Sequence, residues 1–150
     1  MEIHLLRPGH AVALGRFFEE LKEHGADTVF HPHPLTADAA LERANYRGKD
    51  LYFVLLQGKN VIGYALLRGW DEGYDVPSLG IAIHPDMEGQ GLARQLMHFL
   101  RHVAVSRGAK KIRLRVHRTN ERAISLYRSL GFTLTDDDDQ RYKLGILNLG

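Results

Sequence analysis

Residues Ser78 to Arg107 read SLGIAIHPDMEGQGLARQLMHFLRHVAVSR. The first six residues set Leu79, Ile81 and Ile83 against Ser78, Gly80 and Ala82, the period-2 pattern of a strand with one packed face. Pro85 stops that strand. From Leu92 the period changes. Leu92, Leu96, Leu100 and Val103 share one stripe with Ala93, Met97 and Ala104 beside it, and Arg94, Gln95, His98, Arg101 and His102 take the other side. That spacing is close to 3.6, an amphipathic helix. Between strand and helix lies Glu88-Gly89-Gln90-Gly91. A helix start carries unpaired backbone N–H groups and the positive end of the dipole, a natural seat for a phosphate. Glycines at 89 and 91 remove the Cβ atoms that would keep a diphosphate away from those amides. The same Gly-x-Gly also occurs in plain turns. No Lys-Ser/Thr follows it, which argues against a Walker loop, and Arg94 stands where a dinucleotide fingerprint has its third glycine.

Length and composition bound the rest. The 150 residues, 44% hydrophobic and 25% charged, suit one domain with a sizeable core. No apolar run is long enough to span a bilayer, and MEIHLLRPGH has no signal-peptide pattern, so a cytoplasmic location is expected. The absence of cysteine excludes disulfides, thiolate catalysis and Cys-based metal sites. The net charge of +2 is unevenly placed: Gly91 to Leu130 holds ten Lys/Arg against one acid, Glu121. Such a stretch reads either as a solvated basic face or as an attractor of a polyanion. Nucleic acid is not expected, because no known binding motif is present and few aromatics interleave the basic positions. A small, phosphate-rich cofactor fits better.

Taken in order, Glu2 to Arg7 reads as a strand, and Pro8 opens a helix to about Glu23 that Gly25 closes. Phe30 to Leu35 is extended or turned, since Pro32 and Pro34 forbid a helix. Thr36 caps a second helix through about Tyr46. Leu51–Gln57 and Val61–Arg68 are strands joined by Gly58-Lys59, and Gly69–Pro77 (GWDEGYDVP) is a loop. After Gly108, Lys111–Val116 alternates as a strand. Asn120 caps a helix ended by Gly131, and Phe132–Thr135 and Arg141–Leu147 are the last strands. The acidic turn Asp136–Asp139 between them reads as solvated, without EF-hand spacing. The class is α+β, in the order β-α-α-β-β-β-α-β-α-β-β, with no internal repeat and no linker.

With that order in place, the chain resembles the GCN5-related N-acetyltransferase (GNAT) family over nearly its whole length. Glu88-Gly89-Gln90-Gly91-Leu92-Ala93 fills the family's Gln/Arg-x-x-Gly-x-Gly/Ala motif except at its first place, where Glu88 departs and is expected to face solvent. Asn120-x-x-Ala123-x-x-Leu126-Tyr127-x-x-x-Gly131-Phe132 is a second match at the right distance from the first. The resemblance implies a mixed, mostly antiparallel sheet of about seven strands flanked by about four helices and splayed between the fourth and fifth strands. Acetyl-CoA is the implied cofactor. Ile81, Ala82 and Ile83 would meet the pantetheine arm and thioester, and the segment Gly89 to Ala93 with Arg94 would hold the pyrophosphate. Asn120 and Ala123 would lie by the pantetheine, although Asn120 also reads as a plain N-cap.

Tyr127 would protonate the departing thiolate, where a positioned O–H donor meets the developing charge on sulfur. Read alone, it is more readily an aromatic packing helix to sheet, and the motif around it favours the catalytic role. The acceptor amine must lose a proton before it attacks, and the strand at 78–83 carries no acid. Base candidates are Asp75, Glu72, His84, His31 and His33, or a water relay. Without cysteine, direct attack in a ternary complex is expected. Phe30, His31 and His33 would shape one wall of the acceptor site, with Trp70, Asp71, Glu72, Tyr74 and Asp75 on the other, suiting a cationic amine or a sugar face. His31/His33 and His98/His102 lack a third ligand, so no metal is expected. The expected substrate is a small-molecule primary amine, with an amino sugar one candidate. A protein N-terminus or lysine is the enzyme alternative, and a non-catalytic acyl-CoA sensor is the alternative of another class. A homodimer is one expected assembly.

Overall fold

A computed structural model describes residues 1–24 and 33–150. Phe30 and His31 lie outside the described residues. The chain runs β1 (Glu2–Leu5), α1 (Ala11–Glu23), α2 (Ala37–Ala44), β2 (Leu51–Gln57), β3 (Asn60–Arg68), β4 (Ser78–Ile83), α3 (Leu92–Ser106), β5 (Lys111–His117), α4 (Glu121–Ser129), β6 (Thr133–Asp136) and β7 (Tyr142–Asn148). The strands form one seven-stranded sheet in the order β1-β2-β3-β4-β5-β7-β6. Neighbours are antiparallel except β4 and β5, which run parallel.

Strand alternation sorts side chains onto two faces. Phe53, Leu55, Ala65, Leu67, Leu79, Ile112 and Leu114 pack against Leu96, Met97 and Leu100 of α3 and Ile124 of α4. Tyr52, Val54, Tyr64, Leu66 and Ala82 pack on the opposite face against Leu14, Phe17, Phe18 and Leu21 of α1 and Ala40 and Ala44 of α2. The leucine stripe of α3 therefore meets the apolar positions of one sheet face and α1 and α2 cover the other, and each large buried side chain stabilises the fold by about 1.5–3 kcal/mol.

Element ends differ slightly from the sequence reading. Pro8 starts a single 3-10 turn through His10 rather than the α-helix itself, and the Arg7 amide donates to His10 Nδ1 at 3.0 Å. α2 stops at Ala44, where Asn45 Nδ2 turns back to donate to the Leu41 carbonyl at 2.8 Å. That stop frees Tyr46 to bond elsewhere.

The feature that positions the site is the seam between β4 and β5. The two strands share a single register pair, Ser78 with Arg113, and the Arg113 amide donates to the Pro77 carbonyl at 3.0 Å. Beyond that pair no ladder bond joins them among the described residues, so they part toward their C-terminal ends. Parallel neighbours normally continue their ladder. Here the backbone edges of both strands are left open to a ligand.

Candidate active site

The parted strands enclose a cavity of about 390 Å³. Ile81, Ala82 and Ile83 of β4 form one wall. Glu88, Gly89, Gly91, Leu92, Ala93 and Arg94 form the mouth, and Asn120, Ala123 and Tyr127 come from α4 and its cap. Two segments some thirty residues apart in sequence are thus gathered at one cleft. Gln90, between the two glycines, is exposed and does not line it.

The cradle is built as a phosphate seat. Gly89 and Gly91 adopt φ of 82° and 78°, the left-handed region that disfavours any Cβ. Nothing lies within 4 Å of where a Cβ on Gly91 would stand. Thr36 caps α2 through Ala39 N, and Asn120 caps α4 through Ala123 N. α3 has no side-chain cap, since Gly91 is its N-cap, so its first amides remain available to an anion. These residues fit a diphosphate. Glu88 faces solvent as expected, and Arg122 on α4 meets it at 3.2 Å across the mouth. Arg94 reaches over to Ser129 Oγ at 3.0 Å.

Tyr127 sits half-buried in the cleft wall, its ring 5.7 Å from that of Phe132. Its hydroxyl makes no hydrogen bond among the described residues. Burial pushes its pKa up to about 12, because a phenolate would lose hydration there. The group is therefore a neutral O–H donor throughout the physiological range. Asn120 does act as the N-cap of α4, with Oδ1 accepting from Ala123 N at 3.2 Å, and it lines the cleft as well.

Several candidates stand apart from the cleft. Trp70 packs on the edge of the large core with the Arg107 guanidinium 4.8 Å above its ring. Arg107 Nη1 also donates to the Lys49 carbonyl at 3.0 Å. Asp71 accepts from the Tyr46 hydroxyl and from Lys49 N. Glu72, Tyr74 and Asp75 are exposed on the same loop, at the N-terminal end of β4 and away from the cradle. Trp70 and Asp71 of this loop thus hold the sheet's closed end, and none of the five residues lines the cleft at the cradle.

His84 is also displaced. Its Nδ1 accepts from Asp86 N at 3.1 Å, so the proton resides on Nε2, which donates to Glu20 of α1. This pair lines a separate cavity of about 260 Å³ with Arg16 and Phe17. His33 donates from Nδ1 to the Pro34 carbonyl at 2.8 Å and accepts at Nε2 from the Tyr64 hydroxyl at 2.9 Å. Burial above all, with Arg43 and Arg68 adding to it, holds its pKa below the usual value. With both ring nitrogens engaged, His33 is a neutral packing residue against Phe18, 5.2 Å away.

The sequence reading passed over Arg115 and Arg122, which line the cleft. Arg115 lies opposite the core positions of β5, a placement the alternation contains. Its partner could not be read: Asp137 lies 2.5 Å away and is largely buried, and the Tyr142 ring lies 5.2 Å away. The Arg115 guanidinium holds the Asp137 carboxyl below its usual pKa. The acidic turn is thus paired to the sheet, through Arg118 to Asp136 and Arg141 to Asp139 as well, and is not simply solvated. These pairs offset part of the basic excess seen in the sequence. No three His, Asp or Glu side chains gather for a metal among the described residues, and no helix there is long and apolar enough to cross a membrane.

A sheet parted at one parallel seam, with an uncapped glycine-led helix at its mouth, defines a class of acyl-CoA-binding transferase folds. The chain matches the acetyltransferase (GNAT) family over residues 16–132 and belongs to that family. It is 31% identical over 96 residues to an acetyltransferase of Sodalis glossinidius, a stretch covering 64% of this chain and 66% of that protein. The aligned stretch thus spans about two-thirds of that relative's length. Among solved structures, it is similar to a putative acetyltransferase of Salmonella typhimurium determined with its cofactor acetyl-CoA (TM-score 0.78, 22% identity, covering 100% of this chain and 94% of that one). It is also similar to the ribosomal-protein-S18-alanine N-acetyltransferase of Escherichia coli (TM-score 0.70, 25% identity, 97% and 90% covered).

Proposed function

We propose that this protein is an acetyl-CoA-dependent N-acetyltransferase that acetylates a primary amine of a small molecule by direct attack in a ternary complex. The observation that carries this reading is the convergence of three parts on one cleft: the uncapped start of α3, the open edge of β4 and the unengaged Tyr127 hydroxyl. The amides beside Gly89 and Gly91 hold the diphosphate. Unpaired backbone groups at Ile81 to Ile83 direct the pantetheine into the parted seam and polarise the thioester carbonyl as its oxygen gains charge. Tyr127 donates its proton to the departing thiolate.

No strand-borne carboxylate faces the reacting carbon. Glu72, Asp75 and His84 lie outside the cleft, and both nitrogens of His33 are engaged. Among the described residues, which leave out His31, no candidate base lines the cleft; in this reading the amine loses its proton through water reaching the open mouth and attacks without an acyl-enzyme stage. The lack of cysteine and the acetyl-CoA requirement suit a cytoplasmic enzyme.

Release of free CoA from acetyl-CoA with a panel of amines tests the reading, and Tyr127→Phe isolates the chemistry. The substitution should lower kcat by about 100-fold, within the usual range for a general acid, while acetyl-CoA affinity by calorimetry changes little. Equal kcat in the variant would remove Tyr127 from the reaction. Tight acetyl-CoA binding without turnover of any amine would favour a sensor.

A further inference from the structure

Three strands meet side by side at the closed end of the seam. Arg68 of β3 is the register partner of Ser78 of β4, and Ser78 is the partner of Arg113 of β5. Register partners share a face, and that face can be identified. Tyr64 and Leu66, four and two residues before Arg68, are buried beneath α1 and α2. Ile112 and Leu114, on either side of Arg113, are buried in the core beneath α3. The row Arg68–Ser78–Arg113 therefore lies on the α1/α2 face, opposite the helix that carries the cradle. All three side chains are half-buried. The serine position is thus flanked by two arginine positions, with their strands about 10 Å apart across two sheet spacings.

The row carries two basic side chains. Arg43 and Arg68 both lie close enough to His33 to disfavour its protonation, against the hydrogen bond to the Pro34 carbonyl and Glu42. Arg113 forms no ion pair with any described residue. Asp137, in the turn between β6 and β7, is already taken by Arg115. Guanidinium forks match the planar oxygens of a carboxylate or phosphate, and a serine hydroxyl between them adds a further donor.

We propose that this row binds an anionic group on the acceptor, so that the preferred substrate is a small primary amine that also carries a carboxylate or phosphate. The inference rests on the acetyl-CoA reading above and supplies its substrate class. Ser78 precedes Gly80 and Ile81 by two and three residues, and a strand rises about 3.3 Å per residue. The anionic group would then sit roughly 7–10 Å from the amine that meets the thioester. An ω-amino carboxylate or an amino-sugar phosphate spans that gap, whereas an α-amino acid does not. This departs from the expectation of an acid-lined site for a cationic amine: Glu72 and Asp75 lie on the loop that joins Arg68 to Ser78, but both are exposed to solvent while the row itself is half-buried.

The test uses the full chain, acetyl-CoA and matched acceptors: 6-aminohexanoate against its amide, glucosamine 6-phosphate against glucosamine, with spermidine and a neutral peptide bearing a free N-terminus. The anionic member of at least one pair should have kcat/KM about tenfold or more above its neutral partner, the scale of one charge-assisted hydrogen bond. The two pairs separate carboxylate from phosphate. Arg113→Gln should raise KM for the anionic acceptor by about tenfold and bring the ratio within the pair toward one. Acetyl-CoA affinity measured by calorimetry reports that the variant is folded, and Arg113→Lys should recover part of the preference. Equal rates within both pairs, a preference for spermidine or the neutral peptide, or no turnover of any acceptor would overturn the proposal while acetyl-CoA binding stands. Failure to bind acetyl-CoA at all would remove the underlying reading as well.

Discussion

The two ends of β4 are built on opposite principles. At the N-terminal end the strand is gripped. Asp50 Oδ1 accepts from the amides of Gly69, Trp70 and Asp71 at 3.0, 2.9 and 3.3 Å, Arg107 covers Trp70, and Ser78 pairs across to Arg113. At the C-terminal end no ladder bond crosses to β5 among the described residues, the chain turns through Gly89 and Gly91, and α3 begins without a side-chain cap. A sheet cannot leave two central strands unpaired along their length without a firm anchor, because each open amide and carbonyl forgoes a hydrogen bond. The clamp at one end lets the other stay open for a ligand that supplies the missing partners.

The largest effect should come from attacking the open end. Gly91→Val forces a β-branched residue into φ near 78°, a conformation that such a residue rarely adopts. It also places methyl groups at the mouth of the cleft. Calorimetry should show acetyl-CoA affinity falling by about 100-fold or more; a dissociation constant within threefold of the parent, as a rough limit, would mean the diphosphate sits elsewhere.

Attacking the closed end should do the reverse. Asp50→Ala leaves three amides without their acceptor and should cost about 2 kcal/mol in denaturant unfolding. Acetyl-CoA affinity should change no more than about twofold, as expected of distant sites. A large loss of affinity with little loss of stability would show that the clamp sets the width of the seam.

A smaller, pH-dependent effect concerns the face beneath α1 and α2. His33 has a folded pKa below its ordinary value, so its contribution is present above the unfolded pKa, about 6.5. It is lost as pH falls through that value toward the folded one. Protonation removes the acceptor of the Tyr64 hydroxyl, which should cost about 1 kcal/mol. Melting temperature should therefore fall between pH 7 and 5 more steeply in the parent than in His33→Gln, and parallel curves would assign the loss to other groups. The smallest effect is expected at the mouth. The Glu88–Arg122 pair is well exposed, at 54% and 67%, so it contributes about 0–1 kcal/mol. Glu88→Gln removes a negative charge beside the cradle and frees Arg122. Acetyl-CoA affinity should rise about two- to threefold, most at low salt. A weaker complex would mean that Glu88 orders the mouth rather than opposing the phosphates.

What could be read in advance followed the distance over which each cause acts. The cradle was legible because glycine conformation, helix start and strand end lie within fifteen consecutive residues and need no partner. The caps Thr36 and Asn120 were legible for the same reason. The alternation along β5 placed its core positions, whereas β4, read as a strand with one packed face, is covered on both: Ala82 is buried beneath α1 and α2 and Ile81 and Ile83 are only half-buried. Trp70 and Asp71 read as part of a substrate wall because composition records that acids and aromatics are present without recording what they touch. Asp71 meets Tyr46 and Lys49, and Trp70 meets Arg107. His84 read as a base candidate because its partner Glu20 lies 64 residues away in sequence.

By itself, the sequence determined the local elements: the period of each strand and helix, the turns that only glycine makes comfortably, and the uncapped helix start that can hold an anion. These depend on backbone sterics and on hydrogen bonds between residues a few positions apart. Only the tertiary structure decided which of the polar and aromatic residues face the cleft, which clamp the sheet, and which cations already have an acid. Those outcomes depend on strand register and on helices packed from distant segments, where a one-residue shift moves a side chain to the opposite face.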